Sequence, residues 1–117
     1  MADNPAIFRG DGGEVSGRFV AYTLQTLPDW HQDAQDDDSC GQLTQTLEVT
    51  LHFDDEQRIS DYRRTTPRIA AAGKSTLVLD DLRFRGWVTS AAWQAVADAD
   101  GRVRSASLTL NLRGFED

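Results

Sequence analysis

Thr46-Leu47-Glu48-Val49-Thr50-Leu51-His52-Phe53 and Ala106-Ser107-Leu108-Thr109-Leu110-Asn111-Leu112 decide how this chain reads. In both stretches apolar and polar residues alternate with a period of two. Leu47, Val49, Leu51 and Phe53 therefore share one face of a strand, and Ala106, Leu108, Leu110 and Leu112 share one face of another. Such strands need an apolar layer on one side and leave the other to water. Between them, over residues 43–113, lie one short amphipathic helix and a long meander. The pattern predicts a β-rich α+β fold: a small antiparallel β-barrel or sandwich with one flanking helix over about residues 55–72.

The helix carries its own signals. Asp54 or Asp55 can cap it, and Asp54-Asp55-Glu56-Gln57 resembles a capping box with Gln57 as the returning acceptor. Ile59, Tyr62 and Ile69 fall near one face, with Arg58, Arg63 and Arg64 pointing away. Pro67 is expected to end or kink the helix, the chain resuming for a turn before Gly73 stops it. Residues 75–79, a turn at Asp80-Asp81 and residues 82–88 read as a hairpin. Its second strand continues towards Ala97, with a bulge expected near Ser90-Ala91-Ala92. Asp98-Ala99-Asp100-Gly101-Arg102 then makes a tight turn, Gly101 supplying positive φ.

The N-terminal third is less patterned. Residues 1–13 are rich in Gly, Asp and Asn and are expected to form a flexible arm. Residues 14–27 read as a strand with Val15, Phe19 and Ala21 on one face and Val20, Tyr22 and Leu24 on the other, which implies cover on both sides. Residues 28–41 form a long polar loop, in which Trp30 is either a lid on the core or an anchor for a partner. At 117 residues the chain reads as a single domain, residues 1–117.

Charge and composition narrow the function. Nineteen Asp and Glu against twelve Lys and Arg give a net charge of -7. An acidic chain is a poor clamp for phosphate backbones, whose affinity comes from neutralisation by Lys and Arg. No apolar run approaches the ~20 residues that span a bilayer, and Met1-Ala2-Asp3-Asn4-Pro5 lacks the features of a secretory signal, so no membrane anchor is expected. The single cysteine, Cys40, excludes an internal disulfide and fits a reducing compartment.

The reactive motifs fail one by one. Gly73-Lys74-Ser75-Thr76 copies the end of a phosphate-binding loop, but Arg68 stands where that loop needs glycine, and the segment ends a helix instead of opening one. Asp98-x-Asp100-Gly101 has its glycine too early for a calcium loop, and no Glu closes the span. His31 and His52 have no suitably spaced Cys or carboxylate, and no nucleophile has a partner base. No catalytic, metal or cofactor-binding residue is assigned, and the chain is not expected to be an enzyme. Arg83, Arg85 and Trp87 share one face of a strand, opposite Leu82, Phe84 and Val88. Arg and Trp are enriched at interface hot spots, so these three, with Trp30, are the candidate subunit interface; the alternative is a solvated face with Arg stems over the indole.

The order of these segments resembles the tail protein U family of contractile-tailed temperate phages. The likeness covers about residues 43–114. It rests on Thr46-Leu47-Glu48-Val49-Thr50-Leu51, on Arg64-Thr65-Thr66 leading to Ala72-Gly73-Lys74, and on Phe84-Arg85-Gly86-Trp87-Val88-Thr89-Ser90. Asp100-Gly101-Arg102-Val103 and Ser107-Leu108-Thr109-Leu110-Asn111-Leu112-Arg113 complete it. The resemblance implies a tail-tube-like fold and a non-catalytic structural protein of the virion tail, assembled in the host cytoplasm as a ring, a hexamer in that family. Its partners would be its own copies and other tail or baseplate proteins, with DNA only as passing cargo. The ring would belong to the tail tube or to its junction with the baseplate. Over the N-terminal third the chain departs from the family, which leaves open the roles of head–tail joining or tail terminator protein. A reading of another class is a monomeric β-domain that binds a host or regulatory protein.

Overall fold

The computed structural model describes residues 4–27 and 44–116. Its elements, in order, are β1 (Pro5–Gly10), β2 (Gly13–Leu27), β3 (Thr44–Phe53), α1 (Glu56–Ala71), β4 (Ser75–Leu79), β5 (Leu82–Ala97) and β6 (Val103–Glu116). All ladders are antiparallel, and the order β1-β2-β3-β6-β5-β4 closes on itself as a barrel. The two alternating stretches lie side by side at its centre. Leu47 pairs with Leu112, Val49 with Leu110, Leu51 with Leu108 and Phe53 with Ala106, and all eight side chains are buried. Leu77, Leu79, Leu82 and Phe84 complete that wall from the β4–β5 hairpin. Each fully buried Leu or Phe contributes roughly 1.5–3 kcal/mol of hydrophobic stabilisation.

Helix α1 starts and ends close to the expected bounds. Asp55 is the N-cap, its Oδ1 accepting from Gln57 N at 3.2 Å. Gln57 is thus the capped amide donor, and the expected capping box from Asp54 does not form. Asp55→Ala is expected to cost about 1 kcal/mol, read as a lower urea midpoint at unchanged slope. Ile59 and Ile69 are buried, and Tyr62 lies against Phe53 with ring centroids 5.4 Å apart. The expected break at Pro67 is absent, and the helix runs through it to Ala71. Proline removes the donor that the Arg63 carbonyl would use, and the packing of Ile59, Thr66 and Ile69 on both sides of it holds the helix together. Thr66 is buried beside Pro67, and its Oγ1 donates to the Tyr62 carbonyl at 2.8 Å.

Two expectations for the N-terminal third are corrected. Within residues 1–13, residues 5–10 are no flexible arm: β1 pairs with both β2 and β4 and closes the barrel, with Ala6 and Phe8 buried. The glycines that suggested mobility serve close packing instead. A Cβ on Gly12 would collide with the backbone of Arg68 and Ile69, so the β1–β2 turn sits directly on α1. The second correction concerns the two apolar faces of β2. A bulge between Phe19 and Ala21 shifts the register, so Phe19 opposes Leu51 and Tyr22 and Leu24 oppose Val49 and Leu47. Phe19 and Leu24, from the two runs, thereby pack against the same core, while Val20 is left 65% and Tyr22 43% exposed. The residue 28–41 loop, with Trp30, His31 and Cys40, lies outside the described residues.

The meander follows the expected pattern closely. Asp80 turns the β4–β5 hairpin at φ 55, a left-handed conformation that Asp tolerates. The β5 bulge falls between Val88 and Ser90, one or two residues before the expected position. In the last turn Asp98 Oδ1 accepts from Asp100 N at 2.9 Å and Arg102 N at 3.1 Å, and Gly101 has φ 80.

Candidate functional site

Strand β5 builds the candidate site because it alternates strictly before its bulge. Leu82 and Phe84 enter the core, so Arg83, Arg85 and Trp87 must point out, and all three are exposed. Register then adds neighbours that no single strand reveals. Arg85 lies between Thr76 of β4 and Phe115 of β6, and Trp87 lies opposite Arg113. Lys74 arrives from the end of α1 with Nζ 4.8 Å from the centroid of the Trp87 ring. Such an exposed cation–π contact is worth about 0.5–1 kcal/mol. Trp87 is 50% and Phe115 40% exposed, which leaves two aromatic surfaces among four cations.

The cations of this face stand outside the described ion pairs. Among the described residues the ion pairs join Arg18 to Asp54, Arg58 to Asp55, Arg64 to Asp61, Arg102 to Glu56 and Arg104 to Asp98. None of these uses Lys74, Arg83, Arg85 or Arg113. A protein of net charge -7 thus gathers four cations without described carboxylate partners around two aromatic rings. Arg and aromatic side chains in this arrangement can take carboxylates by paired N–H donors and flat groups by stacking. Of the residues singled out by sequence, Arg83, Arg85 and Trp87 come together here, and Trp30 lies outside the described residues. Lys74, Arg113 and Phe115 were missed as members. The parity of β6 marks Arg113 and Phe115 as outward, but only register sets them beside Trp87.

Concave regions elsewhere on the surface have a different character. One is an open cleft lined by Ser16, Arg18, His52, Asp54, Arg58 and Tyr62. There Ser16 Oγ lies 3.4 Å from the Tyr62 hydroxyl, and Arg58 Nη1 donates to it at 3.5 Å. Burial pushes the Tyr62 phenol up, but the hydrogen bonds with Ser16 and Arg58 and the guanidinium charge outweigh it and bring the phenol below its ordinary value. The neighbouring Arg18 and Arg58 are already held by Asp54 and Asp55, so the cleft offers no uncommitted cation. The other is an apolar groove between Pro67, Ala70 and Ala71 of α1 and Val88, Ala91 and Trp93 of β5. Trp93 stacks on Phe53 at 5.2 Å, and its buried Nε1 has no hydrogen-bond partner.

Among the described residues no group of three His, Cys, Asp or Glu is arranged to hold a metal ion. Among the same residues no helix is long and apolar enough to cross a membrane. Searches of protein-family models and of curated proteins give no match to this chain.

Proposed function

We propose that this chain is a non-catalytic structural subunit that assembles with copies of itself into a ring, in the tail of a bacteriophage or a phage-like particle. The observation that carries the ring is a pair of open strand edges. Beyond residue 19, β2 pairs only with β3 among the described residues, and beyond residue 86, β5 pairs only with β6. Residues 20–27 and 87–97 therefore present unpaired backbone groups along one side.

The composition of these edges supports assembly. Val20-Ala21-Tyr22-Thr23-Leu24-Gln25-Thr26-Leu27 and Trp87-Val88-Thr89-Ser90-Ala91-Ala92-Trp93-Gln94-Ala95-Val96-Ala97 contain no charged residue and no proline. Monomeric β-proteins blunt such edges with Lys, Pro, inward charges or bulges; neither edge has the first three, and each carries one bulge, at Val20 and at Thr89. Because the two edges differ, pairing one with the other is heterologous, and such contacts close into rings or continue as filaments. The tail assignment, and the position in the tube or at the tube–baseplate junction, rest on the segment order described above. Head–tail joining and tail terminator roles use the same ring.

Size-exclusion chromatography with light scattering tests this reading. A ring is expected for the parent chain. Thr23→Lys or Gln94→Lys alone should raise the concentration needed for assembly by about tenfold or more, each putting a charge on an edge that must be paired. A parent chain that stays monomeric at high concentration would overturn the ring. The second reading, a monomeric β-domain that captures another protein, is favoured by the Arg83/Arg85/Trp87 face, and it predicts a monomer whose partner binding fails in Arg85→Ala.

A further inference from the structure

We propose that the basic aromatic face of Lys74, Arg83, Arg85, Trp87 and Arg113 binds the acidic segment of residues 29–38 from the next copy of this chain in the ring. The inference rests on the ring reading and names what seals its subunit contact.

Charge complementarity is the first argument. Residues 29–38 carry Asp29, Asp33, Asp36, Asp37 and Asp38 and no Lys or Arg. The face carries four cations that no described carboxylate neutralises. Arg guanidinium groups take carboxylates through two parallel N–H···O bonds, and Trp87 offers an apolar floor between them.

Direction is the second argument. Every ladder in the barrel is antiparallel. If the open edge of β2 adds antiparallel to the open edge of a neighbour's β5, residue 27 comes to lie beside residue 87, at the start of that edge. The chain leaving Leu27 is then delivered to Trp87, Arg85 and Arg83 of the neighbour. Ten residues extend to about 33 Å, ample for the roughly 13 Å that separate Arg83 from Trp87 along a strand. A parallel addition would deliver the segment to Ala97 instead, where the described surface has no such cluster of cations.

A charge-exchange experiment on the full chain tests this. One variant reverses the face (Arg83→Glu, Arg85→Glu, Arg113→Glu), and another reverses the segment (Asp36→Arg, Asp37→Arg, Asp38→Arg). All the substituted face residues are exposed, and circular dichroism checks folding of each variant. Each variant alone is expected to need at least about tenfold more protein to assemble than the parent, the parent's own assembly weakening with added salt. Mixed in equal amounts they should assemble again, because every contact then joins opposite charges between copies. Unchanged assembly of both variants overturns the inference while the ring stands. Two impaired variants that fail to rescue each other, with rescue only when both reversals are in one chain, assign the segment to its own face and overturn docking between copies. Binding of a single-stranded oligonucleotide by the parent, lost in the face-reversed variant with assembly unchanged, assigns the face to nucleic acid and likewise overturns it. A monomeric parent removes the ring reading itself.

Discussion

Phe8→Ala is expected to destabilise the barrel by about 3–5 kcal/mol, a large share of the roughly 5–15 kcal/mol that holds a domain of this size. Phe8 is fully buried on β1, opposite Val15 of β2 on one side and Leu77 of β4 on the other. Truncation leaves a cavity at the one place where the first and fourth strands meet. Urea unfolding followed by tryptophan fluorescence measures the loss as a shift in midpoint. An unchanged midpoint would mean that residues 5–10 do not close the barrel. Ile7→Ala is the control, because Ile7 is only half-buried and faces away from Phe8.

The second large effect is expected where β5 and β6 cross most closely. Gly86 and Gly114 oppose each other in the ladder, and both are buried. A Cβ on Gly86 would overlap the carbonyl of Arg113, and one on Gly114 would overlap that of Arg85. The obstacle is backbone on both sides, so no side chain can swing aside. Gly86→Ala or Gly114→Ala should therefore cost about 3 kcal/mol or more, the upper range for overpacking. The double variant should lose less than the sum, because the first substitution already forces the strands apart. Thermal unfolding of the three proteins provides the comparison.

The parts of the fold that were readable in the sequence are those set by local rules. Alternation fixed the inward faces of β3 and β6, and the Asp–Gly chemistry of residues 98–102 fixed the last turn. The face of β5 with Arg83, Arg85 and Trp87 was readable for the same reason. What was hidden depends on long-range pairing. Residues 5–10 are short and end in glycine, and beside the local hairpin with β2 their second partner lies more than seventy residues away, Ala6 lying opposite Leu79. The bulge at Val20 hides in the same way, since a one-residue register shift makes two faces of a single run. Lys74, Arg113 and Phe115 join the face through ladder register and a turn, which no window of sequence contains. Pro67 misled because the rule weighs the helix alone, whereas the buried Ile59, Thr66 and Ile69 hold it against the barrel on both sides of the proline.

Closure through β1 also bears on how the chain folds. β1 leaves the ribosome before the other described strands, but its second partner, β4, emerges only after two further strands and the whole of α1. Pairing Ala6 with Leu79 fixes a loop that spans more than half the chain, a slow step in any β-topology. Until that step, the outer edge of β1 and the facing edge of β4 are as open as residues 20–27 of β2 and 87–97 of β5. Among the described strands the nascent protein thus exposes four pairing edges, of which closure of the barrel seals two.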